Sequence, residues 1–350
     1  MTAPHAAADP LLVETVGRLL GAAASFEAVE QAEADGWCAP AWDALAEAGF
    51  AWISLPESAG GSGGTLTDAL AVVRAVGAHA APVPVAETGV LAGWLAVAAG
   101  LALPDGPATV VPGDVILRIE GGRLRGEAVV AWAARASRVL ALVDGPDGLS
   151  VVSAAPAVLD VTRRTNLAGE PRDLVRFDVA VSDVELAPAP ADLDRDQLLR
   201  RGALTRIVLS AGALEAMSQL SVDYTHQRRQ FGRPVAAFQA VQQHLVTAAQ
   251  CAVRASMAAD LATRAVAAGD GAFEVAAARV VVDEAAVLGT RAAHQAHGAM
   301  GVTREYPLHH LSRRLWAWRH EHGPAARWRR QLGAQVVAGG ADALFPTLTG

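Results

Sequence analysis

The sequence predicts a multidomain α+β protein: a helical N-terminal domain, a small middle β-domain and a C-terminal helical bundle. Three observations predict it. Leu204, Ile207, Ala211, Leu214 and Met217 recur at helical spacing, as do Phe238, Val241, Leu245, Ala248 and Ala252. Between about Ala108 and Val184 that period gives way to short β-rich runs cut by glycine and proline. The length of 350 residues allows a large core and two or three domains.

Residues 1–107 form the first expected domain. Leu11, Val13, Val16 and Leu19 start one amphipathic stripe, and Ala41 to Gly49 reads as a second helix closed by Gly49. The run Gly60 to Gly64 lacks the lysine of a nucleotide P-loop, so it reads as a flexible loop before a helix at Thr67 to Ala78. Thr88 to Pro104 carries no charge, but it is short and holds Gly89, Gly93 and Gly100. A buried helix is the expected reading, with no membrane span. Residues 108–190 form the β-domain, with strands around Val110, Val115–Leu117, Val129–Val130, Val139–Val143 and Val175–Phe177. Residues 191–350 form the bundle. Its long helices are expected at about Asp194–Gln227, Ala237–Ala268 and Gly271–Ala299, with shorter ones after Pro307 and Pro324.

The net charge of −7 comes without long runs of like charge. That argues against nucleic acid or an anionic membrane as the main partner. Cys38 and Cys251 are far apart and lack metal or redox spacing, which suggests two buried thiols in a reducing compartment. The N-terminus lacks the basic flank and apolar run of a signal peptide, so a cytoplasmic location is expected. His309, His310, His320 and His322 do not make a metal set. His309 and His310 are adjacent, so on a helix they should point apart, and no carboxylate–histidine pair has zincin spacing.

Tyr224 to Gln243 reads as one helix end, a sharp turn and a new helix. Gly232 suits a positive φ at the break, and Pro234 suits the first turn of the next helix. Arg228, Arg229 and Arg233 crowd this corner without a neighbouring carboxylate. Two readings stay open on these residues alone: a solvated corner, or a grip for an anion such as phosphate.

The phrase Arg228-Arg229-Gln230-Phe231-Gly232 with Phe238-Gln239 resembles the Arg-X-X-Phe-Gly…Phe-Gln signature of the acyl-CoA dehydrogenase family. The block from Gln295 through His297, Gly298, Gly301 and Glu305 to Pro307 is similar to a second family segment. Trp42 to Gly49, with Pro56-Glu57 and Gly60 to Gly64, is similar to a third. The resemblance covers most of the chain and is weakest in the middle. It implies an FAD-dependent oxidoreductase of fatty-acid or lipid metabolism that acts on an acyl-CoA or related acyl thioester and passes electrons to an acceptor. It implies that Arg228, Gln230, Phe231 and Gln239 face the FAD, and that Gln295, His297 and Gly298 approach its ADP part. Those contacts would come largely from a neighbouring subunit. An oligomer follows, homo- or hetero-, with a tetramer expected.

The family reaction needs a carboxylate to take the α-proton, and here the match departs from the pattern. The place of the usual glutamate holds His322, and Glu321 lies one residue earlier, so Glu321 is the candidate base. One residue turns a helical side chain by about 100°, but a loop could still aim Glu321 inward. Glu215, on the helix before Arg228, reads as an ordinary polar helix residue. Ala299 replaces the second glycine of the usual pair, and Val130-Ala131-Trp132-Ala133 only echoes the family's flavin-facing triplet. Glu305 and Arg313 follow the pattern, with ion pairing as a competing role. Some relatives work as two unlike chains of which only one carries the base. This chain therefore also fits a non-catalytic partner that completes the FAD site of a mixed oligomer.

Overall fold

The computed structural model describes residues 7–146, 148–340, 342 and 345–346. Asp9 caps α1 (Pro10–Ala23) by accepting from the Leu11 amide, and Pro10 occupies the first turn, where no N–H is needed. Ser25 caps α2 (Phe26–Asp35), which stops at Gly36 in the left-handed conformation. The periodicity gives little sign of α2, because it buries only Val29 and Ala32. α3 (Ala39–Glu47) follows, and a Thr65/Asp68 capping box opens α4 (Leu66–Ala78). The uncharged stretch is a buried helix only in its first part: from Val97 on it is mostly half-buried or exposed, and the helix ends at Ala98. It begins as a wide π-helical segment, Ala86–Gly93, and continues as α5 (Trp94–Ala98). No helix of the described residues is long and apolar enough to cross a membrane.

The sheet contains β1 (Ala108–Val110), β2 (Leu117–Glu120), β3 (Arg123–Ala131), β4 (Arg138–Gly145), β5 (Gly148–Ala154), β6 (Asp160–Thr162), β7 (Arg172–Ala180) and β8 (Glu185–Pro188). Its order is β6-β7-β3-β2-β4-β5-β8, with β1 parallel to β4. Strand alternation divides the labour on β4. Leu140 and Leu142 join the helical core, while Val139, Ala141 and Val143 join a separate core on the sheet.

The bundle is α6 (Arg195–Gln227), α7 (Gln239–Ala268), α8 (Ala272–His297), α9 (Leu308–Trp318) and α10 (Ala325–Gly339). α6 runs through the middle, and every residue from Gly202 to Leu214 is buried, which is why it has no polar stripe there. It meets α4 backbone to backbone. A Cβ on Gly212 would lie 2.0 Å from the Arg74 carbonyl oxygen, and one on Gly77 would lie 2.1 Å from that of Leu209. Pro234 does not open α7. Arg229–Gln230 and Arg233–Pro234 pair as a small antiparallel hairpin, and its turn residues Phe231 and Gly232 have φ of 50° and 78°. Cys38 and Cys251 are buried free thiols.

Candidate active site

A cleft of about 460 Å³ lies between the sheet and the bundle. Glu127, Val129 and Ala131 of β3 form one wall, and Arg206 of α6 with Glu321 and His322 form the other. Its volume falls within the ordinary range for ligand pockets. What decides its chemistry is the charge along its wall.

Residues 319–323 present Glu321 to this cleft for a local reason. Arg279 on α8 donates to the carbonyls of Trp318 at 2.7 Å and Glu321 at 2.9 Å, so it grips the turn by its backbone. Trp328 Nε1 donates to the carbonyls of His322 and Gly323. His322 and Gly323 both have positive φ. The ring of His322 lies against the bare backbone of Gly202, where a Cβ would sit 2.2 Å from its Nδ1. The chain therefore leaves the helical path here, and Glu321 points inward although it precedes the expected position by one residue.

Glu321 is not a free carboxylate. Arg172 donates to both of its oxygens, at 2.7 and 2.9 Å, and Arg206 Nε donates to Oε2 at 2.6 Å. Arg206, 1% exposed, also pairs with Glu87 at 2.5 Å. Arg172 pairs onward with Glu170, which meets Arg314 at 3.3 Å and accepts from Trp318 Nε1. The result is a buried alternating row of charge: Glu87, Arg206, Glu321, Arg172, Glu170, Arg314. Burial alone would push the Glu321 carboxyl up, but Arg172 and Arg206 outweigh it and hold the group well below the usual carboxylate range. Burial works against the charge of Arg206, yet Glu87 and Glu321 more than offset that.

His322 titrates in the opposite setting. Burial first, then Arg206, push its ring down to about 3, with Glu321 opposing. The folded ring is neutral where an unfolded histidine takes a proton, so stability falls as pH drops below about 6.5, by up to about 1.4 kcal/mol per unit from this group. The depressed pKa of Glu321 acts in the same direction, but only below about pH 4.3, where the unfolded carboxylate protonates. His322→Gln is therefore expected to flatten the fall in urea-unfolding free energy between about pH 6.5 and 4.5. An unchanged slope would assign the loss to other groups.

The candidate cofactor residues lie elsewhere, at the far end of the bundle. The structure brings both motif blocks together there: the rings of Tyr224, at the end of α6, and His297, at the end of α8, stack with centroids 4.5 Å apart. Arg228, Gln230, Gln239, Gln295 and Gly298 are all exposed, and Phe231 is 91% exposed. Among the described residues, Arg228 and Arg229 have no ion pair, while Arg233 lies over the Phe238 ring at 4.1 Å. His297 is buried; its Nδ1 donates to the Ala293 carbonyl, and its Nε2 has no partner among the described residues. A Cβ at Gly298 would meet nothing within 4 Å, so its surface is open to a ligand. Unpaired guanidiniums, exposed carboxamides and an open glycine suit the diphosphate of an FAD, so this corner fits that part of the cofactor. The cleft fits the flavin less well, because its wall carries charges already committed to one another.

Other candidates have plain places. Glu215 pairs with Arg74 at 2.5 Å. Trp132 is buried with its ring against Trp37, while Val129 and Ala131 beside it reach the cleft. The residues that sequence reasoning missed are Glu87, Arg172 and Arg206. Arg206 stands alone within an apolar helical stretch, and Glu87 opens an otherwise uncharged one. A lone charge in an apolar run was the available signal.

Comparison with known proteins identifies the family. The family models for the N-terminal and C-terminal domains of acyl-CoA dehydrogenase match residues 11–100 and 196–337. The chain is 30% identical over 322 residues to the acyl-CoA dehydrogenase IpdE2 of Mycobacterium tuberculosis, covering 85% of this chain and 88% of that one. It is 29% identical over 329 residues to the acyl-CoA dehydrogenase FadE34 of the same organism, covering 89% of this chain but spanning 44% of the relative. Its fold matches that of a glutaryl-coenzyme A dehydrogenase in complex with glutaryl-CoA, with a TM-score of 0.79, 19% identity and 94% of each chain covered. It also matches the ChsE4-ChsE5 complex from Mycobacterium tuberculosis, with a TM-score of 0.78, 23% identity and coverage of 93% and 96%. The chain belongs to the acyl-CoA dehydrogenase family of FAD-dependent oxidoreductases.

Proposed function

We propose that this chain is one subunit of a mixed acyl-CoA dehydrogenase, in which its exposed corner holds the ADP end of an FAD seated in a partner chain. The observation that carries this reading is the ion-pair row across its own cleft. A general base works best with a pKa near the working pH, and a carboxylate held low by two guanidiniums is a weak base. In the family reaction, bound FAD takes up the hydride from the β-carbon of the acyl thioester. In this reading Glu321 fastens Arg172 and Arg206 and takes no proton from substrate. Arg228, Gln230, Gln239 and Gln295 remain free to bind the partner's cofactor, with Phe231 and Gly298 shaping the surface. Val246, Val253, Met257 and Leu261 form an exposed apolar stripe on α7, each more than half exposed, which supports burial of that face in an oligomer. Two of the fold's neighbours, ChsE4-ChsE5 and Tcur3481-Tcur3483, are named as pairs of chains, which is compatible with a pairing here.

The rival reading makes Glu321 the base of a self-sufficient enzyme, and its position on the cleft wall favours it. The two separate cleanly. Purified alone, the chain is expected to be colourless. Co-expressed with a second chain of the fold that carries an unpaired carboxylate, it is expected to yield a yellow complex. In that complex Arg228→Ala should weaken FAD retention by about 10- to 100-fold, the value of a lost charged hydrogen bond, while Glu321→Gln leaves anaerobic bleaching by acyl-CoA unchanged. A yellow protein purified alone, bleached by acyl-CoA and silenced by Glu321→Gln, refutes the proposal.

A further inference from the structure

The seam between α2 and α9 holds a cluster that the dehydrogenase reaction does not use. Helical spacing sends His309 and His310 apart, yet their ring centroids lie 4.0 Å from each other. Both turn toward α2. His309 Nε2 lies 3.4 Å and His310 Nε2 lies 3.2 Å from the same atom, Glu30 Oε2. The tautomers follow from the other ring nitrogens. His309 Nδ1 is 2.8 Å from the Tyr306 carbonyl oxygen, and His310 Nδ1 is 2.9 Å from Glu33 Oε1. Each of those oxygens can only accept, so each Nδ1 carries a proton, and the Nδ1–H tautomer offers the Nε2 lone pair to a metal. Three ligand atoms, Glu30 Oε2, His309 Nε2 and His310 Nε2, therefore converge, and none of the three has a hydrogen-bond partner among the described residues.

We infer that Glu30, His309 and His310 bind a divalent transition metal of the zinc class, which fastens the N-terminal domain to the C-terminal bundle. The spacing fits. Tetrahedral ligands about 2.0–2.1 Å from zinc lie about 3.3 Å apart. The surroundings fit as well. A Glu33–His310 contact through Nδ1 is the carboxylate–histidine–metal arrangement that orients a ligating ring. The Phe26 ring covers both imidazoles, at 6.4 and 5.4 Å. The nearby cations bind other atoms: Arg304 lies against Glu30 Oε1 and Glu33 Oε2, and Arg313 against Glu33 Oε1. Their charge offsets the carboxylates, so the expected affinity is micromolar, well short of cysteine-rich structural sites.

The test uses the full, untagged chain after chelator treatment, titrated with Co²⁺ and read by visible absorption, then displaced with Zn²⁺. One equivalent bound with a low-coordinate spectrum, and a melting temperature raised by Zn²⁺, is the expected result. Glu30→Gln and His309→Gln should each abolish the spectrum, and Glu33→Gln should weaken binding about 10- to 100-fold by releasing His310. The exposed His226→Gln serves as the control and should bind normally. If His309→Gln fails to fold, Glu30→Gln, at a half-buried position, decides alone. No saturable Co²⁺ or Zn²⁺ binding, or binding that survives Glu30→Gln, overturns the inference.

Discussion

Arg206→Met is expected to destabilise the chain by about 3–5 kcal/mol, the usual cost of removing one partner from a buried ion pair. The methionine keeps much of the volume, so packing is not the main loss. The loss is electrostatic. Glu87 is 4% exposed, and Arg206 is its only ion-pair partner among the described residues. Glu321 keeps Arg172 and suffers less. The two carboxylates can be told apart by a second change. Glu87→Gln added to Arg206→Met should restore part of the stability, because a neutral amide replaces the stranded charge. Urea midpoints of the two single variants and the double variant check this. Losses that simply add would mean that Glu87 is not left charged and alone.

That row of charge also shows where sequence reading stops. The three-part fold was legible because its signals are local: short β-rich runs cut by glycine and proline in the sheet, and apolar stripes in the helices. The motif corner was legible for the same reason. The cleft was not, because its partners lie far apart in sequence, Glu87 and Arg206 being 119 residues apart. Only the π-helical segment and α6 bring them together. Glu321 was singled out, but its two guanidiniums were not, so its depressed pKa was invisible. The hairpin at Arg229–Pro234 was missed because proline after glycine is equally a sign of a helix start. His309 and His310 were dismissed on helical spacing, although the first turn of α9 lets both rings lean toward Glu30.

Gly212→Ala is expected to cost about 3 kcal/mol, at the upper end of overpacking, although alanine is the better helix former by about 1 kcal/mol. The added methyl would sit 2.0 Å from the Arg74 oxygen and 3.0 Å from its carbon, both backbone atoms that no rotamer change can move. α4 and α6 must separate, and Gly77 opposite Leu209 leaves no slack. Gly17→Ala on α1 is the matched control. Its Cβ meets nothing within 4 Å, so the propensity gain should appear undiminished, as about 0.5–1 kcal/mol of added stability. Should both variants be equally stable, the crossing is looser than its backbone contacts indicate.

The alternating charges have a bearing on how such a chain can change over generations. Glu87, Arg206, Glu321, Arg172, Glu170 and Arg314 each balance a neighbour, so any single replacement that widens the cavity leaves an odd charge out of water. Mutational routes to an uncharged cleft must cross that barrier or change Arg206 and a facing carboxylate together. Drift is thus blocked at the cavity wall, while the outward-facing arginines and glutamines at the far end of the bundle can be altered one by one at little risk to the fold.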